Sequence, residues 1–422
     1  MSRSKTVSLA LLIGAAMVLS VSVQARAQGG GQSSVPDSGV YNPEDHLKAR
    51  TSFKVFHPNE GHATLNARIK ANPTAPGAPP ASGYVFATPA SLACIYGLVA
   101  SVAQCNPNSL TSTSNATGGS KAIAIVDAYH YPHALSDLQA FSAQFGLPTP
   151  TLQVVYATGR QPKTSPNNWE VEEALDLQWA HAMAPNATLY LVEAASNSTN
   201  DLLTAVSVAS NLVYAAGGGE VSMSWLTPEF SGMSSLDTYF QKQHVVYFAS
   251  SGDSAGTGWP CVSPNVVCVG GTTLRRSTTG DFLQEVAWNE GGGGLSKYYT
   301  TPSYQQNIAS LGGKRGVPDV SLAADPITGA WVYYTPSNTN VSGWYSVGGT
   351  SWSSPAFAGI VNWAGTFSSS STGELQTMYS NAGPTSFNDI TDGWCSLDYA
   401  IAAVKGWDAC TGVGSNMGKT GK

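Results

Sequence analysis

The chain has 422 residues, of which only 11% are charged, with a formal net charge of −6 and 44 glycines. Binding to nucleic acid requires clustered Lys and Arg, so this composition argues against a nucleic-acid partner. Since few carboxylates are available to be neutralised as the pH falls, the same composition suits a protein that stays folded in acid.

The first 27 residues have the pattern of a secretory signal peptide. Arg3 and Lys5 precede an apolar run over residues 7–23, and the small residues Ala25 and Ala27 stand before Gln28. A cleavage site at that point favours export over a membrane anchor, and no later stretch is long and apolar enough to span a bilayer. We therefore expect a secreted or periplasmic monomer that is not attached to a membrane.

Residues 28–85 show little regular pattern. A run of glycines at 29–31 opens this stretch and a Pro-rich run at 73–80 closes it, with a small mixed-charge patch at 44–54 between them. This composition indicates a short leader or linker. It precedes a single domain, which we place at residues 86–422.

From residue 89 onward, apolar runs of strand length alternate with helical stretches. Apolar runs without polar alternation are typical of strands that are buried on both faces of a sheet. The sequence therefore predicts an α/β fold with a mostly parallel sheet and helices on both faces. The predicted strands are Ala122–Val126, Leu152–Tyr156, Thr188–Val192, Val221–Trp225, Val245–Ala249 and Val266–Val269, and the predicted helices are Ala134–Phe145, Trp169–Met183 and Leu202–Ala216.

The six cysteines fall into three local pairs. Six cysteines allow about 15 connectivities, but proximity and an exported context favour disulfides within each pair. A zinc site is the alternative, and the lack of a Cys-x-x-Cys motif or a neighbouring His cluster argues against it. The expected pairs are Cys94 with Cys105, Cys261 with Cys268, and Cys395 with Cys410.

One serine has the setting of a nucleophile at the start of a helix. Ser351 follows Gly348-Gly349-Thr350, and Pro355 fits the first turn of the apolar helix that comes next. There the hydroxyl would be exposed to substrate and the Ser351 N–H could contribute to an oxyanion hole. The alternative is an ordinary Ser/Thr N-cap. A nucleophilic serine needs a base, and since none of the seven histidines has an obvious catalytic setting, a carboxylate base is worth considering.

A helix rich in carboxylates supplies candidates for that base. Asn167 is a good N-cap with Glu170 as its capping partner. Glu172 and Asp176 are four residues apart and share one face of the helix. A solvated acidic face is the simpler alternative, but the apolar neighbours, among them Trp179, indicate a partly buried cleft.

A further acidic residue, Asp253, follows the predicted strand Val245–Ala249 directly. Sites in α/β folds lie at the carboxyl ends of strands. The alternative is a turn aspartate that hydrogen-bonds its own backbone.

Taken in order, these motifs resemble those of the sedolisins, the serine-carboxyl peptidases with a subtilisin-like fold. The similarity covers nearly all of residues 88–414. The matching stretches are Ile123-Ala-Ile-Val-Asp127, Glu172-x-x-Leu-Asp176 followed by Ala184-Pro185, Ser222-Met-Ser-Trp225, Ser251-Gly-Asp-Ser254, Gly270-Gly-Thr-Thr273, Pro318-Asp-Val-Ser321 and Gly349-Thr-Ser-x-x-x-Pro355.

The resemblance implies an endopeptidase in which Ser351 is the nucleophile and Glu172 is the general base. Asp176 would orient and tune Glu172. Asp253 would be the side chain of the oxyanion hole, which must be protonated to donate a hydrogen bond. A Glu base with a low pKa and a protonated Asp253 would work in acid and fail near neutrality. Asp127 stands where a subtilisin keeps its triad aspartate, and we interpret it as structural or adjacent to the site.

The resemblance also implies one structural Ca²⁺ near the C-terminus. Calcium takes roughly six to eight oxygen ligands. The matching ligands are the side chains of Asp389 and Asp408 and the main-chain carbonyls of Ile390, Val404 and Gly406. An acidic surface turn is the alternative.

The chain departs from the family in one respect, since members carry a large folded propeptide and residues 28–84 are too few for one. Control by a propeptide is therefore in doubt. Two other functions are alternatives to an acid-acting peptidase. An esterase with Ser254 in Gly252-Asp253-Ser254 would need a late histidine, and none follows His244. A catalytically inactive secreted binding protein on the same fold is the other alternative, and the intact set of candidate site residues argues against it.

Overall fold

The computed structural model describes residues 30–34 as backbone, and residues 48–51, 53–100, 103–109, 114–166, 168–397 and 401–422 in full. The predicted signal peptide, residues 1–27, lies outside these ranges, as does Asn167. Within them the α-helices are α1 His62–Ala71, α2 Pro89–Ile95, α3 Ala134–Phe145, α4 Trp169–Met183, α5 Thr199–Ala215, α6 Thr350–Ala364 and α7 Ser371–Ser380. Short 3-10 helices cover Ala103–Cys105, Met233–Phe240, Ser303–Gln305, Ala309–Leu311 and Pro326–Thr328.

Each predicted strand is present with bounds within two residues of the prediction, except that β10 extends seven residues past its predicted end at Val269. The strands are β1 Gly30–Ser34, β2 Lys54–Pro58, β3 Ala122–Ala128, β4 Thr151–Tyr156, β5 Thr188–Ala194, β6 Gly219–Met223, β7 Thr227–Pro228, β8 Val245–Ser250, β9 Gly258–Trp259, β10 Val267–Arg276, β11 Phe282–Ala287, β12 Gly294–Thr300, β13 Lys314–Val317, β14 Val320–Ala323, β15 Ala330–Tyr334, β16 Gly343–Gly348, β17 Phe387–Asn388, β18 Trp394–Cys395, β19 Ile401–Ala402 and β20 Ser415–Asn416.

The main sheet has eight strands and is mostly parallel. Its order is β11-β10-β8-β6-β3-β5-β4, and β14 also pairs with β10. The pairs along this path are parallel except β10 with β11, which is antiparallel. Since parallel strands all end at the same edge of a sheet, the loops that follow β3, β6 and β8 meet at one edge.

Helices cover both faces of this sheet, as the sequence predicts. All seven residues of β3 are buried. Ile123 and Ile125 belong to the apolar core that contains residues of α3, α4 and α6. Ala124 and Val126 belong to the core on the other face, which contains residues of α5. This arrangement explains why the strands read as continuous apolar runs rather than as alternating ones.

A second sheet, in the order β1-β2-β16-β15, includes part of the stretch that the sequence analysis read as an unpatterned linker. Strand β2 pairs antiparallel with β16, and helix α1 follows it. The sequence did not predict these two elements, and for β2 the reason is that a strand of five residues is too short to give a clear period. Its stability comes from pairing with β16, nearly 300 residues further along the chain.

The three disulfides join Cys94 to Cys105, Cys261 to Cys268 and Cys395 to Cys410. This confirms the local pairing that the sequence favours. No α-helix in the described part of the chain has both the length and the apolar character that a membrane crossing requires.

Two local predictions about helix starts were wrong. At α4 the N-cap position is occupied by Asn168, which makes no side-chain capping bond. Glu170 instead accepts hydrogen bonds from Ser337 and Tyr334, so its carboxylate anchors a distant loop. At α6 the helix begins at Thr350, which places Pro355 inside the helix rather than in its first turn.

Candidate active site

The candidate nucleophile lies at the N-terminal end of α6, directly after a tight glycine turn. Gly349 has φ +117°, a conformation that L side chains rarely adopt. At Gly348 a Cβ would lie 2.4 Å from the carbonyl oxygen of Ala324, so only glycine fits. The turn fixes Ser351 in the second position of the helix, where it is fully buried by its own chain.

Pro355 has a consequence for the backbone at Ser351. Because proline has no N–H, the carbonyl of Ser351 lacks the hydrogen bond that residue 355 would otherwise donate in a helix. The Ser224 hydroxyl donates to this carbonyl oxygen instead, at 3.2 Å. Ser224 follows β6, so this bond ties the start of α6 to the edge of the main sheet where the strands end.

Close packing of α4 against α6 brings the candidate base to the candidate nucleophile. At Gly359 in α6 a Cβ would lie 2.8 Å from the carbonyl oxygen of Ala180 in α4, so the glycine permits the two helices to approach. Glu172 of α4 is fully buried, and its carboxylate is hydrogen-bonded to the Ser351 hydroxyl. The Thr51 hydroxyl also donates to Glu172 Oε2.

Glu172 and Asp176 are both buried and lie together, as their spacing on α4 predicts. Burial raises the pKa of Glu172 well above its ordinary value, Asp127 adds to the rise, and the bonds from Ser351 and Thr51 oppose it. Burial likewise raises the pKa of Asp176, with Asp127 and Glu172 contributing. The expectation of a Glu base with a low pKa is therefore wrong, because removal from water disfavours the charged carboxylate.

Asp253 lies after β8 and is bound to the residue that precedes Ser351. Its Oδ1 accepts hydrogen bonds from the Thr350 N–H and the Thr350 hydroxyl, both at 2.8 Å. Its Oδ2 is shielded from solvent and has no hydrogen-bond partner among the described residues. Burial raises the pKa of Asp253 to about 7, against the opposing effects of Thr350 and the Lys54 ammonium. A proton on Oδ2 would leave both bonds to Thr350 intact.

Further buried carboxylates lie beside the pair on α4, among them Asp127, for which the sequence indicates a structural or site-adjacent role. Asp127 and Glu193 are register partners on the neighbouring strands β3 and β5. Burial raises the pKa of each to about 8. Glu193 is held by His130 Nδ1 at 2.8 Å, whereas both oxygens of Asp127 and of Glu173 lack hydrogen-bond partners within the described chain. The sequence feature that could have indicated Asp127 and Glu193 is that each is an acidic residue near the end of an apolar strand.

The residues that the resemblance assigns to a calcium site lie in one loop. Gly406 N–H donates to Asp389 at 3.0 Å, and Val404 N–H donates to Asp408 Oδ2 at 3.0 Å. The two carboxylates thus converge on residues 404–406, and the donor set contains oxygen only. Gly406 has φ +82°, which turns the loop between them. Such a set fits a hard cation, although the described residues contain no cluster of three or more His, Cys, Asp or Glu side chains that could hold a metal.

The structure thus places Ser351, Glu172, Asp176 and Asp253 around one point, at the edge of the sheet where the parallel strands end. It also brings in residues that sequence reasoning missed, namely Thr51, Lys54, Glu173, Ser224 and Thr350. Single polar or charged side chains of this kind carry no distinctive pattern in the sequence, and only the resemblance indicated the segments around some of them.

No family model matches the chain. Kumamolisin from Bacillus sp. strain MN-32 is 31% identical over 320 residues, which cover 67% of this chain and 56% of that protein. Sedolisin from Pseudomonas sp. strain 101 is 27% identical over 353 residues, covering 73% of this chain and 58% of that protein. The chain therefore spans a little over half the length of these relatives.

Among solved structures, the Pseudomonas sedolisin complexed with two molecules of pseudo-iodotyrostatin superposes with a TM-score of 0.62 at 23% identity. The match covers 80% of this chain and 96% of that one. This similarity establishes the fold, a subtilisin-like α/β arrangement with a mostly parallel sheet.

Proposed function

Because the chain belongs to the sedolisin family, we propose that it is a serine-carboxyl endopeptidase that hydrolyses peptide bonds through an acyl-enzyme on Ser351. The observation that carries the proposal is the hydrogen bond between the Ser351 hydroxyl and the buried Glu172 carboxylate. A buried carboxylate with a raised pKa is a stronger base than an exposed one, which is what a serine hydroxyl needs.

In the acylation step, Ser351 Oγ bonds to the carbonyl carbon of the substrate and its proton passes to Glu172. The negative charge that develops on the carbonyl oxygen accepts a hydrogen bond from protonated Asp253, whose Oδ2 is free to donate. When the C–N bond breaks, Glu172 returns the proton to the leaving amine. The acyl group remains on Ser351 as an ester.

In the deacylation step, a water molecule gives its proton to Glu172 and attacks the ester carbon. Asp253 again stabilises the oxyanion. When the ester C–O bond breaks, Glu172 returns the proton to Ser351 Oγ and the acid product leaves. We propose that Asp176 keeps the Glu172 carboxylate oriented toward Ser351 through both steps. Its position one helical turn from Glu172 and beside Ser224 supports this role.

The proposed roles fix the dependence of the rate on pH. The rate follows the fraction of molecules in which Glu172 is ionised while Asp253 is protonated. Since the pKa of Asp253 is about 7, the rate should fall as the pH rises through neutrality. On the acid side it should fall as Glu172 is protonated. The fall in rate above neutrality supports the proposal of an enzyme that acts on the acid side of neutrality.

The test is hydrolysis of a denatured protein across about pH 3 to pH 7 by the full chain and by its Ser351→Ala variant. Loss of the nucleophile should lower kcat by roughly 10⁴-fold or more. Ser235→Ala, at an exposed serine outside the site, is the matched control and should behave as the unmodified chain. Circular dichroism establishes that both variants are folded. Equal hydrolysis by Ser351→Ala would refute the assignment of the nucleophile.

We further propose that Asp389 and Asp408 hold one structural Ca²⁺ with the carbonyls of Ile390, Val404 and Gly406. The convergence of both carboxylates on residues 404–406 supports this. A bound calcium would neutralise the two carboxylates and cross-link the loop, which the Cys395–Cys410 disulfide also closes.

The remaining proposals concern the setting of the enzyme. We propose that it is a secreted or periplasmic monomer acting on proteins or peptides. The three disulfides support an oxidising compartment. The low content of Lys and Arg supports the absence of a nucleic-acid partner.

A further inference from the structure

Leu226 lies between two glycines beside the candidate oxyanion donor. A Cβ at Gly252 would lie 2.7 Å from Leu226 Cδ2, and a Cβ at Gly258 would lie 2.7 Å from Leu226 Cδ1. The two methyl groups of Leu226 therefore occupy the space that side chains at both glycine positions would take. Gly252 directly precedes Asp253, and its N–H donates to the Thr350 hydroxyl at 2.9 Å. The Leu226 side chain thus ends next to the segment that carries the oxyanion donor.

The main chain around Leu226 is held at several points. The N–H of Leu226 donates to the carbonyl oxygen of Arg50 at 3.0 Å, and its carbonyl oxygen accepts from the Arg50 N–H at 2.9 Å. Two residues earlier, the Ser224 hydroxyl donates to the main-chain carbonyl oxygen of Ser351 at 3.2 Å. Strand β7 begins at the residue after Leu226 and pairs with β9. Because the backbone is fixed on both sides, the side chain has little room to turn away from the two glycines.

The proposed reaction determines where the side chain of the attacked substrate residue lies. In the acylation step the reacting carbonyl is placed between Ser351 Oγ and Asp253 Oδ2. The side chain of the same residue starts at the carbon bonded to that carbonyl, so it begins close to both groups. On the side of the nucleophile, the Glu172 carboxylate is bound to the Ser351 hydroxyl. On the side of the oxyanion donor, Gly252 has no side chain, and Leu226 fills the room that this leaves.

We propose that Leu226 limits the site to substrates with a small side chain on the residue whose carbonyl is attacked, namely glycine, alanine or serine. The inference rests on the proposed function and adds the substrate class of the site. A leucine or phenylalanine side chain would need the volume that the two methyl groups of Leu226 occupy. Because protein interiors are close-packed, small shifts do not absorb such an overlap. Leu226 therefore determines specificity and takes no part in bond making.

The experiment uses three fluorogenic peptides that differ only in the attacked residue, which is alanine, leucine or phenylalanine. The full chain is assayed across about pH 3 to pH 7, and mass spectrometry of the products identifies the bond that is cut. The value of kcat/KM for the alanine peptide should exceed that for the phenylalanine peptide by at least roughly tenfold, since one methylene group too many in an apolar pocket already costs that much. An equal or higher kcat/KM for the leucine or phenylalanine peptide would overturn the proposal.

Variants at Leu226 test whether this side chain sets the limit. Leu226→Gly empties the space between the two glycines, and Leu226→Ala empties most of it. Each should raise kcat/KM for the phenylalanine peptide by roughly 10- to 200-fold, while the value for the alanine peptide stays near that of the unmodified chain. Leu283→Ala is the matched control, because Leu283 is 63% exposed in β11, and it should leave the preference unchanged.

Circular dichroism establishes which variants are folded, and the more conservative Leu226→Ala decides the test if Leu226→Gly does not fold. An unchanged ratio of the phenylalanine to the alanine value in a folded variant would contradict the role of Leu226.

The same assay distinguishes this inference from the proposed function. If the unmodified chain cuts the leucine peptide as fast as the alanine peptide and Ser351→Ala cuts neither, the specificity inference fails and the proposed function stands. If the unmodified chain cuts none of the three peptides, both fail.

Discussion

The oxyanion donor is the residue whose replacement tests the chemistry most directly. Asp253 holds Thr350 with one carboxyl oxygen and leaves the other free to donate. Asp253→Asn keeps the acceptor for Thr350 and places an NH₂ group where the Oδ2 proton would be, but an amide does not titrate. Asp253→Ala removes the donor altogether. The two variants therefore separate the presence of a donor from its protonation.

The expected results differ in size and in pH dependence. Removing one oxyanion donor costs about 2.7–4 kcal/mol, so Asp253→Ala should lower kcat by about 10²–10³-fold at the pH optimum. In the unmodified enzyme the protonated fraction of Asp253 falls about tenfold per pH unit above a pKa of about 7. Asp253→Asn should lose this alkaline fall while keeping a measurable rate.

The assay is kcat/KM for a fluorogenic peptide between about pH 3 and pH 9, with chains whose N-termini have first been verified by mass. Asp392→Asn, at an exposed carboxylate, is the matched control and should leave the profile unchanged. If Asp253→Asn shows the same alkaline fall as the unmodified enzyme, another group controls that limb and the role of Asp253 is refuted.

Three further outcomes are expected, and each concerns stability. Gly359→Ala should lower the free energy of unfolding by about 1–3 kcal/mol, because its methyl group would clash with the backbone of α4. Gly373→Ala is the control, since Gly373 has room for a methyl group and its replacement should not lower the free energy of unfolding. Urea unfolding of both variants checks this. Asp127 and Glu193 have pKa values of about 8 in the folded chain, above their unfolded values, so their contribution is complete at acid pH and is lost as the pH rises through about 8. Each should lower the free energy of unfolding by about 1.4 kcal/mol per pH unit between its unfolded pKa of about 4 and its folded pKa of about 8, and a stability that is flat from about pH 5 to pH 8 in urea melts would contradict this. Calcium at 100 times its Kd should stabilise the unmodified chain by about 2.7 kcal/mol, and an equal rise in Tm for Asp408→Asn would contradict the proposed site.

The sequence was most informative where the determining interactions are local. The helix Trp169–Met183 was predicted with its observed bounds, and it places Glu172 and Asp176 on one face through the helical period alone. The disulfides were predicted for a related reason, because each joins cysteines 7 to 15 residues apart. Such features depend on nearby residues and need no knowledge of the rest of the chain.

The predictions failed where the partner is distant. The pKa of Glu172 could not be judged from its helix, because the rise comes from complete burial and from Asp127 on a neighbouring strand. Strand β2 carries no clear period in its five residues, and its pairing partner β16 lies nearly 300 residues away. Short strands of this kind are defined by tertiary pairing.

By itself, the sequence determined which segments form strands and helices, which cysteines pair, and which hydroxyl and carboxylates are candidates for the chemistry. Only the tertiary structure decided that Thr51, 121 residues from Glu172, lies on that carboxylate, and that Asp253 binds Thr350 across 97 residues. The physical reason is that periodicity and local pairing act within a few turns of chain. Burial and charge–charge distance depend on how the packed sheet and helices bring remote segments together.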